Sequence, residues 1–479
     1  MHPRPPPEYL ALFTRNPSPP NFGSPLRGWG MDARNDPPPR RNSGDWPDYA
    51  DLSGGRHAIV ISAEEDLESE SVAEAGDAGD RALHSRRSSR ASSFRVVPDS
   101  LLEDEEVSSA SKGTVSNTFG SLSPAREETK SAISIDRRLQ PDEIKQIEKT
   151  LPRIWEDVSC LVYLSVFAIL GVLTRYLLQK LFGPGVAGVT GSEAILYLDL
   201  PSNMVGSFLM GWFGVVFKPD ISRFSEYLAI GLSTGYLGSL TTFSGWNQKM
   251  VEFSAEGKWV FTALGFIIGL FLTSYSIIFG VETANGFRWL IQKYSSGDVQ
   301  RSQKHVAVNR PNLHITLLVI MILVLGSLWA ASAVILTEEF SRGGSAAKLW
   351  LACLVGPPGA WMRWYLAKLN GVGLGKHGRL KWLPTGTLTA NVTAACLMAS
   401  LSTVMKAVNN KTCDTVASGI EFGFLGCLST VSTFMAEFNA MRQSKHPWRA
   451  YAYAAVTICV SCGLGILLYD LPVWLKGYR

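Results

Sequence analysis

Two stretches decide how this chain folds: Gly235-Tyr-Leu-Gly-Ser-Leu-Thr-Thr-Phe-Ser244 and Gly423-Phe-Leu-Gly-Cys-Leu-Ser-Thr-Val-Ser432. They resemble each other and lie 188 residues apart, 235 to 423. Two further pairs keep that register. Gly171-Val-Leu-Thr-Arg175-Tyr-Leu-Leu-Gln-Lys-Leu181 matches Gly359-Ala-Trp-Met-Arg363-Trp-Tyr-Leu-Ala-Lys-Leu369. Asn203-Met-Val-Gly-Ser-Phe-Leu-Met210 matches Asn391-Val-Thr-Ala-Ala-Cys-Leu-Met398. Chance likeness between apolar segments does not keep three blocks in constant register, so the chain carries an internal duplication.

The blocks sit inside apolar runs of roughly 20 residues, long enough to cross a bilayer. Four such runs fall near 158–182, 196–217, 226–250 and 258–281, a fifth near 313–336, and four more near 346–369, 385–405, 417–441 and 449–470. With the N-terminus in the cytoplasm, the inner loops carry Lys218 and Arg223, then Arg288, Lys293, Arg301, Lys304 and Arg310. The later inner loops carry Lys368, Lys376, Arg379 and Lys381, then Arg442, Lys445 and Arg449. The outer loops hold fewer cations: Lys258, Arg342, Lys348, Lys406 and Lys411. This positive-inside pattern supports nine spans, a cytoplasmic N-terminus and an extracellular C-terminus.

Four spans return a chain to its starting side. The fifth, which has no counterpart in either copy, therefore turns the second copy over. The expected fold is an all-α membrane protein of two inverted four-helix repeats, 155–282 and 346–470, joined by a single linker helix, 313–336. Gly, Ser and Thr crowd the middle of each third span, which is expected to break at the bilayer centre. Carbonyls freed there need protein, water or a bound cation.

The composition, 46% hydrophobic and 18% charged over 479 residues, falls below the roughly 25% charge of soluble domains. Even so, it averages two unlike parts. Residues 1–145 are rich in Pro, Ser, Arg and acidic residues and read as a disordered cytoplasmic region. Within it, Ser88, Ser89 and Ser92 of a basic serine cluster are candidate phosphorylation sites, or simply part of a solvated linker. Asn410-Lys-Thr412 is a glycosylation sequon in an outer loop. A net charge of +4 with no dense basic face excludes nucleic acid as a partner. The spans contain no nucleophile–base set or metal cluster, which argues against a membrane enzyme.

Several polar residues in the spans invite a functional reading. Arg175 and Arg363 are paired intramembrane cations, either snorkelling anchors or positive charges that draw an anion to a pore mouth. Asn203 and Asn391 either join packed helices or offer N–H donors to a dehydrated anion. Phe243 and Phe434 are either core packing or aromatic edges, whose electropositive rim suits a small anion.

In sum, the paired arginine, the paired asparagine and the Gly-x-x-x-x-Gly-x-x-Thr-Thr-Phe-Ser-like break resemble the CrcB/Fluc fluoride channels. The fused layout is similar to the fungal fluoride export proteins. The resemblance spans about 155–470. It implies passive export of fluoride ion across the plasma membrane through the lipid bilayer by a fused pseudo-dimer acting as a monomer. It also implies a central sodium ion on the backbone carbonyls of Gly238, Thr241, Gly426 and Ser429. The implied pore residues are Asn203, Asn391, Phe243, Phe434, Thr242, Ser244, Thr430 and Ser432, with Arg175 and Arg363 in the vestibules. The alternative is an ion-coupled transporter of a small metabolite on an inverted-repeat fold.

The chain departs from the family pattern unevenly. The family's two phenylalanines map onto Phe243 and Trp246 in the first repeat but onto Val431 and Phe434 in the second. Its glutamate maps onto Glu437 in the second repeat and is replaced by Lys249 in the first. One pore would then join Phe243 to Phe434, and the other Val431 to Trp246. One working pore and one vestigial pore are expected.

Overall fold

The computed structural model describes residues 153–295, 311–342, 344–373 and 380–477. The region 1–145 with Ser88, Ser89 and Ser92, and the loop cations Arg301, Lys304, Arg310, Lys376 and Arg379, lie outside the described residues. Among the described residues every regular element is helical.

The first repeat opens with the helix Arg153–Phe182 and continues with Leu200–Trp212, whose start is marked by Pro201 in the first turn. Its third segment begins at Glu226, widens into a π-turn at Gly231–Leu237 and stops after Leu240. The helix resumes at Phe243–Ala255. The fourth helix is Trp259–Ser295. After the helix Pro311–Phe340, the second repeat follows the same order. Ser345–Ala367 comes first, then Thr385–Val408, then Lys411–Ile420 with a π-turn at Glu421–Leu425. A break after Leu428 follows, and the helices Ser432–Gln443 and Trp448–Gly465 complete the repeat.

Both breaks fall where the sequence places them, after a π-turn of the kind that clusters at functional sites. Thr241 (ψ 149°) and Ser429 (ψ 159°) are extended, which takes their carbonyls out of the helical ladder. Asn410 is exposed and caps the helix that follows it, its Oδ1 accepting from Thr412 N at 3.0 Å.

Seven helical segments among the described residues are long and apolar enough to cross a membrane. The sequence led us to expect nine. Two expected spans fall outside this set. Ser345–Ala367 carries Lys348, Arg363 and two internal prolines. The second is Glu226–Ala255, divided at Thr241–Thr242, while the equally divided Lys411–Gln443 is within the set. The linker helix packs by Leu325, Leu328 and Trp329 on a core built from Ile169, Ala352 and Cys353, which belong to the first helices of both repeats.

Lipid tails are as apolar as leucine, so these helices associate through close packing and hydrogen bonds. Gly171 and Gly359 provide the same close approach in both repeats. A Cβ at Gly171 would lie 2.6 Å from Tyr236 O and 3.0 Å from Leu240 N. At Gly359 it would meet Phe424 O and Leu428 N. Gly326, on the linker helix, faces open space. Gly171→Val and Gly359→Val should therefore each destabilise the protein by about 1–3 kcal/mol, read as a lower melting temperature in detergent. Gly326→Val should not.

Candidate functional site

The centre of the molecule is the place where the two broken segments meet. A helix that restarts at Phe243 or Ser432 presents N–H groups with no partner in its own chain direction. Each restart is capped by a hydroxyl from the other repeat. Thr241 Oγ1 accepts from Val431 N (3.2 Å) and Ser432 N (3.0 Å). Ser429 Oγ accepts from Phe243 N (3.2 Å) and Ser244 N (3.0 Å). The caps continue into two hydroxyl triads. Thr242 Oγ1 and Ser244 Oγ lie 3.1 and 2.8 Å from Ser429 Oγ. Thr430 Oγ1 and Ser432 Oγ each lie 3.1 Å from Thr241 Oγ1. All six residues are buried.

The paired asparagines secure the backbone of the breaks. Asn203 Oδ1 accepts from Thr242 N (2.8 Å) and its Nδ2 donates to Thr242 O (3.1 Å). Asn391 makes the same two bonds with Thr430, at 2.8 and 3.1 Å. The amides that the sequence suggests as anion donors thus hold the extended residues first. A difference remains between them. Asn203 Nδ2 also donates to Tyr197 Oη (3.1 Å), whereas the bond to Thr430 O is the one Nδ2 bond that Asn391 makes among the described residues.

The paired arginines cross over as well. Arg175 donates to Phe422 O in the second repeat and stacks over the Phe422 ring, 4.4 Å from its centroid. Arg363 reaches into the first repeat, with Nη2 2.5 Å from Thr234 O and Nη1 2.5 Å from Gly238 O. Both are buried. Arg175 also lines a cavity of about 450 Å³ with Gln179, Asp199, Thr242, Lys249 and Glu421.

The expected sodium position can be tested against this geometry. Four backbone carbonyls suit a small hard cation in kind. Arg363 Nη1, however, already bonds Gly238 O and lies 3.4 Å from Ser429 O, and a Cβ at Gly426 would strike the Arg175 guanidinium. A second cation roughly 3–4 Å from a guanidinium meets about 4–6 kcal/mol of repulsion at an effective dielectric of about 20. With Arg363 in this place, the residues do not fit a sodium ion.

The aromatic residues divide unequally between the two sides. Phe243 and Phe434 meet edge to face, centroids 6.0 Å apart, and Phe434 meets Tyr453 in the same manner at 5.0 Å. Tyr453 Oη donates to Glu437 Oε2 (2.7 Å), while Thr387 Oγ1 (2.7 Å) and Asn370 Nδ2 (3.2 Å) donate to Glu437 Oε1. On the other side Trp246 stacks on Tyr197 (5.9 Å) and donates to Gly265 O (3.3 Å). A Cβ at Gly269 would lie 2.6 Å from its indole. Trp246 therefore fills the space that Gly269 leaves open, and the Met250 thioether fills that at Gly265. In the second repeat Tyr453 and Thr457 hold the corresponding positions. Sequence reading singled out neither of them, nor Thr387 and Asn370. Tyr453 and Thr457 were detectable, because the 188-residue register aligns a tyrosine with one glycine and a threonine with another.

A duplicated helical membrane unit, with two broken segments capping each other and a line of ring edges and hydroxyls between the copies, defines a class of small-ion pathway protein. The model of the family described as CrcB-like protein, Camphor Resistance (CrcB), matches residues 162–281 and 350–469, and the chain belongs to that family. "Fluoride export protein 1" of Neurospora crassa is 24% identical over 74% of this chain and 74% of its own length. "Fluoride-specific ion channel FluC" of Geotalea uraniireducens is 31% identical over 28% of this chain and 94% of its own. "Fluoride export protein 1" of Candida albicans is 24% identical over 50% of this chain and 60% of its own. No solved structure matches the chain.

Thr241→Val keeps the shape of the side chain but leaves Val431 N and Ser432 N without an acceptor in a buried site. It should cost about 1–3 kcal/mol, with Thr241→Ser close to wild type in thermal melts. An unchanged melting temperature in Thr241→Val would contradict the capping role.

Proposed function

We propose that this chain is a fluoride export channel, a passive pathway for fluoride ion and not an enzyme. The observation that carries the proposal is the chain of edge-to-face rings from Phe243 through Phe434 to Tyr453, together with an asparagine whose Nδ2 makes one bond among the described residues, to Thr430 O. Ring edges are electropositive. Hydroxyl and amide N–H groups replace part of the hydration shell of a small anion without fixing it as a full charge would. Hydrogen fluoride, a neutral weak acid, enters cells and dissociates at cytoplasmic pH. An inside-negative potential then drives fluoride outward with about 2.3 kcal/mol per 100 mV, so a passive path is sufficient.

One conducting pore fits the side chains better than two. Phe243, Phe434, Asn391, Thr430 and Ser432 would line it. On the other side, Trp246 occupies the matching volume, and Asn203 Nδ2 carries a second bond, to Tyr197. Glu437 receives hydrogen bonds from Asn370, Thr387 and Tyr453, which suits a fixed acceptor that positions Tyr453 and not a proton carrier. We place the chain in the plasma membrane as a monomer with nine spans and inverted repeats. The N-terminus would be cytoplasmic and the C-terminus extracellular. In this arrangement Arg175 supplies positive charge to the cavity it lines.

Sodium enters the proposal only in exchange for Arg363. With its guanidinium on Gly238 O, the wild-type chain should melt at the same temperature in sodium and in choline chloride. Arg363→Gln should gain a sodium-dependent rise, and a wild-type sodium dependence would contradict this assignment. For the pathway itself, Phe243→Ala and Phe434→Ala should lower fluoride efflux from proteoliposomes at least about tenfold, one unit of log rate for 1.4 kcal/mol of barrier. Val431→Ala and Trp246→Phe should leave it near wild type. Equal loss from all four would defeat the single pore.

A further inference from the structure

The cavity of about 450 Å³ beside Arg175 is also lined by Gln248, which stands on the helix Phe243–Ala255. Gln248 is only 6% exposed, yet neither its Oε1 nor its Nε2 has a hydrogen-bond partner. Buried polar groups are nearly always paired, because an unpaired one costs its full desolvation. An amide offers an acceptor and two donors, and here the protein meets none of them. Asp199 lines the same cavity. Gln179 Nε2 donates to its Oδ1 at 2.6 Å. Its Oδ2 lies where a Cβ at Gly245 would come within 2.5 Å, so the glycine makes room for the carboxylate.

The duplication supplies an internal control. In the 188-residue register Gln179, Asp199, Gly245, Gln248 and Lys249 correspond to Ala367, Thr387, Thr433, Ala436 and Glu437. The second repeat thus lacks both amides and the glycine. Its carboxylate, Glu437, accepts inside the protein from Asn370, Thr387 and Tyr453. The shared fold therefore does not require the polar set around Gln248.

The charges on the wall say what would fit. Arg175, Lys249 and Lys348 line the cavity together with Asp199, Glu252 and Glu421. Lys249 and Glu252 pair with each other at 2.9 Å, and Ser402 Oγ donates to Glu421 Oε1 at 2.7 Å. A lone anion meets the carboxylates here, and a lone cation meets the guanidinium and the ammonium groups. A molecule that carries both signs finds a partner for each. The volume lies in the range of small-molecule sites, about 300–1,000 Å³.

We propose that this cavity binds a small zwitterion, an ammonium carboxylate of a few carbons. Asp199 and Gln248 Oε1 accept from its ammonium group. Gln248 Nε2 donates to its carboxylate, which the cations of the wall also attract. Gly191, Ser192 and Ser345 complete the lining and lie outside the membrane core in the orientation proposed above, so the solute comes from the extracellular medium. The site adds an organic ligand to the protein and does not depend on the channel reading.

The test is binding to the purified full chain in detergent, measured by calorimetry with glycine, β-alanine and γ-aminobutyrate, which space the two charges differently. Propionate and propylammonium carry one charge each. At least one zwitterion should bind, with both single-charge compounds weaker by about tenfold or more. Asp199→Asn keeps the acceptor for Gln179 and removes the charge, and Gln248→Met keeps the volume and removes the amide. Each should weaken binding about tenfold, the effect of one hydrogen bond to a charged group. Thr433→Ser, at the register position of Gly245, should bind as wild type. Without ligand, Gln248→Met should melt no lower than wild type, because the amide it removes pairs with nothing in the protein. The proposal is overturned if none of the three zwitterions binds, or if propionate binds as tightly as the best of them. It is overturned equally if Gln248→Met melts lower and binds as wild type, which would mean an amide held by water alone. Binding is read directly, so its failure leaves the channel reading in place, and an absence of fluoride efflux would overturn that reading alone.

Discussion

Each broken helix in this protein restarts with a hydroxyl from the other repeat receiving its first N–H groups. Thr241 serves Val431 and Ser432, and Ser429 serves Phe243 and Ser244. In a buried site no water is at hand to satisfy those donors, so each break draws on the other copy for them. This reciprocity explains why the centre is polar in a region where polarity is costly. It also explains why the asparagines and arginines are directed inward. Asn203 and Asn391 hold the extended residues in place, and Arg175 and Arg363 hold carbonyls of the opposite repeat.

Much of this was legible in the sequence. The 188-residue register located both breaks, both asparagines and both arginines, and the crowding of Gly, Ser and Thr placed the interruption in the middle of each third segment. What the register could not give was partnership. Thr241 and Ser432 are 191 positions apart and Arg175 and Phe422 are 247, and nothing local in the chain announces such pairs. Asn203 read either as a joint between packed helices or as a donor to an anion, and its carboxamide closes on the backbone of Thr242. Arg363 read as a vestibule charge, and it lies instead on the carbonyl where a metal ion was expected.

Duplication also freed the two sides to diverge. A side chain lost from one copy need not be lost from the other, so Tyr453 and Thr457 could stand opposite Gly265 and Gly269. The resulting space did not stay empty. At Gly269 Trp246 fills it, stacked on Tyr197 and bonded to Gly265 O, and at Gly265 the Met250 thioether does. The fold thus keeps its symmetry in the backbone and in the caps, and gives it up in the side chains between the repeats.

The central claim is that fluoride moves as an ion, by itself, between the two copies. Fluoride efflux from liposomes containing the purified chain, measured with and without a potassium ionophore that carries the compensating charge, tests it most directly. The account predicts sustained efflux only when the ionophore is present, with no accompanying change in internal pH. Efflux of equal rate without the ionophore, accompanied by proton movement, would mean that the protein couples ions, and the passive anion path would have to be abandoned.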